Sequence, residues 1–186
     1  MEKTFGGKVV LITGAGAGIG EATAQKMAAA GAKVVVNSIS GSGQLVAQKL
    51  VLQQRDAAFF RADISKEEEV EKLVAFTLAR YGALHVVVTN AGVVPSGNVE
   101  ETTLEQWNHT MAVNVTGAYL VSKHCLPFLR QTAGTIVNVS SVAAIKGTQN
   151  RAAYSASKGA LLSLSKAMAT DYFKENVRVN CVCPGT

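Results

Sequence analysis

The sequence predicts an α/β fold, a parallel sheet buried on both faces by helices, and three observations predict it. Six short apolar runs, rich in β-branched residues, recur at 8–13, 33–37, 57–63, 84–90, 135–141 and 177–183. They are apolar throughout rather than alternating, which is the pattern of strands covered on both sides. Segments with helical spacing separate them, and strand alternating with helix produces parallel pairing. The third observation is composition: 186 residues, 48% hydrophobic and 17% charged, suffice for a buried core and lie far from a disordered composition.

KVVLIT (8–13) is the first strand, followed by a run of glycines and by EATAQKMAAAG, an alanine-rich helix with Gly31 as its C-cap. KVVVN (33–37) precedes the helical GQLVAQKLVLQQ, and AAFFRAD (57–63) precedes SKEEEVEKLVAFTLARYG. LHVVVTN (84–90) opens into a longer polar connection before a helix within 103–130. TIVNVSS (135–141) precedes AYSASKGALLSLSKAMATDYF, which lacks proline and reads as a helix over about 153–174, and VRVNCVC (177–183) is the sixth strand. Seventeen glycines against three prolines point to tight turns, and no repeat or low-complexity tract interrupts the pattern. One unit over 1–186 is expected.

The formal charge of +5 and a sequence pI near 9.2 do not point to nucleic acid, because the 18 Lys and Arg are scattered and form no run. A mild positive field favours a phosphate-bearing ligand instead. Cys125, Cys181 and Cys183 are an odd count whose spacing suits neither a zinc knuckle nor a CxxC pair, so buried reduced thiols and a cytoplasmic location are expected. The apolar core VVLI near the N-terminus is too short for a signal peptide, and no segment approaches the roughly 18 apolar residues of a membrane span. No metal site is expected.

In an open parallel sheet, ligands sit beyond the carboxyl ends of the strands where strand order reverses. The first strand ends in Thr13, Gly14, Ala15, Gly16, Ala17, Gly18, Ile19, Gly20, which departs from GxGxxG and fits TGxxxGxG. Glycines there let the backbone turn sharply and approach a pyrophosphate resting on the amides of the next helix. On the helix after the fifth strand, Tyr154 and Lys158 lie four positions apart and share a face. A phenol with a pKa near 10 is a poor proton donor at neutral pH unless lowered, and a cation one turn away lowers it.

Jointly, TGAGAGIG at 13–20, Asp63, TNAG at 89–92, Asn114 in VNVTG, Ser141 in VNVSS, YSASK at 154–158 and PG at 184–185 resemble the short-chain dehydrogenase/reductase family along the whole chain. The resemblance implies a doubly wound Rossmann fold, a nicotinamide cofactor, and hydride exchange between a carbonyl and an alcohol. It makes Tyr154 the general acid/base, with Lys158 also holding the nicotinamide ribose, Ser141 orienting the substrate oxygen, and Asn114 beside a water next to Lys158. By pattern alone Asn114 reads as a surface residue within a helix, and Ser140 competes with Ser141 as a cap or turn serine. Cofactor contacts implied by the resemblance are Gly14, Gly16, Ala17, Gly18, Ile19, Gly20, Asn37, Ser38, Asp63, Ile64, Asn90, Ala91, Gly92, Tyr154, Lys158, Pro184 and Gly185. Asp63 is placed at the adenine amine, with an N-cap before SKEEEVEKL as a compatible alternative. Thr89 stands where the family often has Asn.

An acid at the end of the second strand marks NAD, because it accepts from the ribose 2′-OH and repels a 2′-phosphate. Asn37 is read at that position, and Ser38 and Ser40 are able to donate to phosphate oxygens, so the balance favours NADP(H) over NAD(H), although neither Ala17 nor Ser38 supplies the expected cation. Val93, Val94, Val142, Ala143 and Gln149 suggest a largely apolar substrate wall. The expected function is carbonyl reduction or alcohol oxidation on a small molecule, with a resemblance to 3-oxoacyl thioester reductases, and a non-catalytic dinucleotide-binding regulator as the alternative. Family analogy adds a homodimer or homotetramer built on the helices at 103–130 and 153–174. Relative to the family pattern the chain is expected to be truncated after the PG turn, losing a substrate loop and a last strand.

Overall fold

A computed structural model describes residues 4–185. Six parallel strands form one sheet: β1 (Val9–Ile12), β2 (Lys33–Ser38), β3 (Ala57–Arg61), β4 (Val86–Thr89), β5 (Thr135–Val139) and β6 (Arg178–Val182). Their spatial order is β3-β2-β1-β4-β5-β6. The chain winds outward from β1 to β3, crosses back to β4 on the other side of β1, and winds outward again, so the order reverses between β1 and β4. The register is continuous through that point, with Leu11 opposite Val35 on one side and Val87 on the other.

Six helices cover the sheet: α1 (Gly18–Ala29), α2 (Ser42–Leu52), α3 (Glu67–Tyr81), α4 (Leu104–Met111), α5 (Gly117–Thr132) and α6 (Ala152–Asp171). The strand period of two divides the apolar runs between two cores. Val10, Ile12, Val34 and Val36 face Ala24 and Ala28 of α1 and Val46 and Leu50 of α2. Val9, Leu11, Val35 and Val87 face Leu73 of α3, Val121 and Leu129 of α5 and Met168 of α6. Leu11, Ile12 and Ile136 are fully buried, each contributing about 1.5–3 kcal/mol by leaving water. Covering both faces is why the central strand β1 is apolar and buried along its whole length.

Local chemistry sets several boundaries. Thr103 caps α4 in a capping box, its hydroxyl accepting from the Gln106 amide at 3.1 Å while the Gln106 side chain accepts from the Thr103 amide at 3.0 Å. The segment expected as one helix over 103–130 is α4 and α5 joined by a π-helical stretch, Ala112–Thr116, with Pro127 retained inside α5. Gly31 stands just past the α1 C-cap at φ 95°, in line with its expected role as a stop. Of the cysteines, Cys125 is buried as expected, whereas Cys181 on the outer strand β6 and Cys183 just past its end are partly exposed. No helix among the described residues is long and apolar enough to cross a membrane.

Candidate active site

The reversal between β1 and β4 opens a cleft at the carboxyl ends of the strands, made of two cavities that meet at Asn90 and Gly92. The first, about 520 Å³, runs from the glycine turn after β1 to the loops after β2 and β3. The second, about 870 Å³, lies between the loop after β5, the start of α6 and the residues after β6.

The glycine turn is fixed from both sides. Gly14 has φ 61°, and a Cβ there would lie 2.6 Å from the Ala91 Cα, so only glycine lets the turn pass the end of β4. The Asn90 side-chain Nδ2 donates to the carbonyls of Thr13 and Gly14 at 3.0 Å, and the Thr13 hydroxyl accepts from the backbone N–H groups of Asn90 and Ala91. Below this turn α1 begins at Gly18 with Ala17 as N-cap and no capping side chain. Its first N–H groups are therefore left for an anion at the positive end of the helix dipole. Gly14, Gly16, Ala17 and Gly18 line the first cavity, and Ile19, half exposed, faces the second.

At the far end of the first cavity the structure corrects the reading of β2. The strand runs one residue past Asn37, to Ser38. Asn37 is 1% exposed and its amide donates to the carbonyls of Phe60 and Ala62 at 3.2 Å, tying β2 to β3. Ser38 therefore occupies the strand-end position; its hydroxyl donates to the Ser40 carbonyl at 2.6 Å and accepts from the Gly43 amide. The Ser40 and Ser42 hydroxyls lie 2.8 Å apart. Arg61, opposite Ser38 in the β2–β3 register, donates through Nε to the Ile39 carbonyl at 2.9 Å. Arg61 is thereby held against the loop after β2.

Asp63 and the buried Ile64 line the first cavity with Ala62. Asp63 does not cap α3, whose N-cap is Lys66; its Oδ1 accepts from the Ser65 amide and hydroxyl at 3.0 and 2.7 Å, closing a turn three residues earlier. Thr89, where the family often has Asn, donates to Asn138 Oδ1 at 2.5 Å in a buried pair. His109 and Val113, not singled out in the sequence, also line this cavity.

The second cavity gathers Ser141, Tyr154 and Lys158. Lys158 is 4% exposed and its Nζ donates to the Val139 carbonyl at 2.7 Å, with the ammonium 5.7 Å from the centre of the Tyr154 ring. Burial pushes Lys158 down from 10.5 to about 8, against an upward pull from the Cys181 and Cys183 thiols. The Ser140 hydroxyl is consumed by the Lys158 carbonyl at 2.9 Å. Ser141 is partly exposed to the cavity while accepting from the Ala143 amide at 3.1 Å, so it caps the following turn and still faces Tyr154's cavity.

Asn114 is buried in the π-helical stretch, contrary to its surface reading. Its Oδ1 accepts from the Val93 amide at 2.8 Å, and its Nδ2 donates to the Val93 carbonyl and the Ser157 hydroxyl, both at 2.9 Å. The wider π turn lets an amide point into the core and pin both the loop after β4 and helix α6. Gly92 marks how tightly these groups converge: a Cβ there would lie 3.2 Å from Asn114 Oδ1 and 3.5 Å from Lys158 Nζ. Pro184 and Gly185 close the cavity, the Pro184 carbonyl accepting from the Val142 amide at 2.9 Å.

Val94, Val142, Ala143 and Gln149 line the second cavity and Val93 the first. The second is not the apolar surface expected, because Lys146 and Arg151 share its wall.

A doubly wound sheet with its ligand cleft at the reversal and a glycine turn at its base defines a protein of the Rossmann class. A model of the family described as short chain dehydrogenase matches residues 8–186. Among curated relatives, an uncharacterized oxidoreductase of Thermotoga maritima is 47% identical over 184 residues, covering 98% of this chain and 72% of that protein. A trans-4-hydroxycyclohexanecarboxylate dehydrogenase of Sinomonas cyclohexanicum is 37% identical, covering 96% of this chain and 72% of its own. A crystal structure of a gluconate 5-dehydrogenase from Burkholderia cenocepacia, in complex with NADP and tartrate, superposes with a TM-score of 0.93 at 28% identity, covering 99% of this chain and 73% of that one. The chain belongs to the short chain dehydrogenase family and is an NAD(P)-dependent oxidoreductase.

Proposed function

We propose that the protein exchanges a hydride between NADP(H) and a small-molecule ketone or secondary alcohol, with Tyr154 as the general acid/base. The convergence of Tyr154, Lys158 and Ser141 on one cavity, opening directly onto the glycine-turn cavity, carries this reading. The uncapped start of α1 and the glycine-only approach at Gly14 suit a pyrophosphate held by Gly14, Gly16, Ala17, Gly18, Ile19 and Gly20. Asp63 and Ile64 suit the adenine, Asn90, Ala91 and Gly92 the adjoining ribose, and Lys158 with Pro184 and Gly185 the nicotinamide end. When bound, the nicotinamide supplies or accepts the hydride.

The chain's own residues handle the proton. Tyr154 gives its phenolic proton to the carbonyl oxygen during reduction and takes it back during oxidation. The Lys158 ammonium, one helical turn away and largely desolvated, places a positive charge beside the Tyr154 ring as the proton is transferred. Ser141 donates to the substrate oxygen and sets its distance from Tyr154. Asn114 is a positioning residue: by clamping Val93 and Ser157 it fixes Gly92 and α6 around Lys158.

The preference for NADP(H) rests on the loop after β2. It carries no carboxylate, offers the Ser40 and Ser42 hydroxyls, and lies against Arg61, whose terminal amino groups have no partner among the described residues. The relative acting on hydroxycyclohexanecarboxylate oxidises a secondary alcohol, in keeping with the class proposed here. The groove of about 360 Å³ between α5 and α6, lined by Tyr119, Leu126, Met168 and Tyr172, suits a homodimer or homotetramer contact. The test is oxidation of NADPH and of NADH against a panel of cyclic and open-chain ketones. Carbonyl-dependent turnover faster with NADPH supports the reading; no turnover with any carbonyl refutes it, and faster turnover with NADH refutes the cofactor preference alone.

A further inference from the structure

The second cavity holds more positive charge than proton delivery uses. Besides Lys158, its described lining includes Lys146 and Arg151, and no aspartate or glutamate. Neither cation forms an ion pair among the described residues, whereas Lys66 and Lys123 on the outer surface pair with Glu69 and Glu67 at 3.2 and 2.6 Å. An unpaired guanidinium on a concave wall is available for a ligand.

Arg151 is also mounted rigidly. It is partly buried at the N-cap of α6, and the backbone on either side is pinned to one glycine: the Gly97 amide donates to the Asn150 carbonyl and the Ala152 amide to the Gly97 carbonyl, each at 3.1 Å. Its Nη1 donates to the Asn150 carbonyl at 2.8 Å, which leaves its other N–H groups free. Arg151, the N-cap of α6, and Tyr154, in its first turn, line the same cavity, so a ligand held at Arg151 lies in the space the phenol faces. Lys146 reaches the same wall from the exposed loop before α6.

We infer that the substrate carries an anionic group, a carboxylate in the simplest case, held by Arg151 with help from Lys146 while its carbonyl or hydroxyl carbon faces Tyr154 and Ser141. This rests on the oxidoreductase reading for the reacting end and adds the class of compound: a hydroxy or oxo acid rather than an apolar ketone. A guanidinium offers a carboxylate two parallel hydrogen bonds, which fixes the orientation of the remote carbonyl as well as binding it.

The test is calorimetric binding of cyclohexanecarboxylate and cyclohexanecarboxamide, two unreactive probes, to the enzyme saturated with NADP⁺ and, in a parallel series, with NAD⁺. The carboxylate is expected to bind at least about tenfold more tightly, with the difference shrinking at high salt. Arg151→Gln removes most of that ratio and Lys146→Gln, on an exposed loop, part of it; Lys166→Gln, exposed elsewhere on α6, leaves it in place. Equal affinities for the two probes, or a preference that survives both cavity substitutions, overturns the inference. Because the probes do not react, a carboxylate preference in a protein that oxidises no NAD(P)H would uphold the anion site and remove only the reaction.

Discussion

Replacing Lys158 by methionine separates what the buried ammonium does for the reaction from what it costs the fold. Lys158 is 4% exposed, and burial pushes its pKa down from 10.5 to about 8. Between those values the unfolded chain holds a proton that the folded protein has released, so stability rises with pH across the window. Below about pH 8 the folded protein carries the desolvated charge and that stability is lost. At 1.36 kcal/mol per pH unit, the difference between neutral and strongly alkaline solution is about 3 kcal/mol, of which about 2 to 3 falls between pH 7 and pH 10. Urea unfolding of the wild type and of Lys158→Met at both pH values isolates this contribution, since the other titrating groups are common to the two proteins. The wild type should gain about 2 kcal/mol relative to the variant on going from pH 7 to pH 10, while the variant loses nearly all carbonyl reduction at either pH. A wild-type-minus-variant difference that is flat with pH would refute the claim that burial depresses this lysine.

Other perturbations follow the same geometry. Ser38→Asp places a carboxylate at the end of β2 and should shift the NADPH-to-NADH ratio of kcat/KM toward NADH by at least about tenfold. Arg61→Gln should weaken NADPH binding several-fold while leaving NADH binding nearly constant, as read by fluorescence titration. Gly14→Ala forces a Cβ against the Ala91 backbone at a positive φ and should abolish saturable cofactor binding, with a drop in melting temperature on thermal scanning. Leu11→Ala, in the centre of the sheet, should cost about 2–5 kcal/mol in urea unfolding.

The sheet is legible in the sequence because strands covered on both faces are mainly apolar; VVLI and VVV carry that signature outright, and TIVNV carries it with one buried Asn138 whose amide is hydrogen-bonded on both atoms. The glycine turn and the Tyr154–Lys158 pair are legible because their spacing is local, one turn of backbone or one turn of helix. The end of β2 is misread by one residue, Ser38 instead of Asn37; both line the first cavity, but the Asn37 amide is spent on the Phe60 and Ala62 carbonyls, a tie to β3 that local sequence does not show. The burial of Asn114 depends on Val93, 21 residues away, and on a π turn that has no compositional mark. Arg61, Lys146 and Arg151 look like any scattered surface cation until the fold shows which of them lack a carboxylate; being unpaired is a property of tertiary structure alone.

The most direct measurement is a pair of experiments on one variant, Tyr154→Phe: equilibrium binding of NADPH, and NADPH oxidation with the best carbonyl found for the wild type. Removal of one oxygen from the cavity should leave the dissociation constant within about twofold and lower kcat at least about a hundredfold. Wild-type turnover by the phenylalanine enzyme would mean that the proton reaches the substrate by some other route.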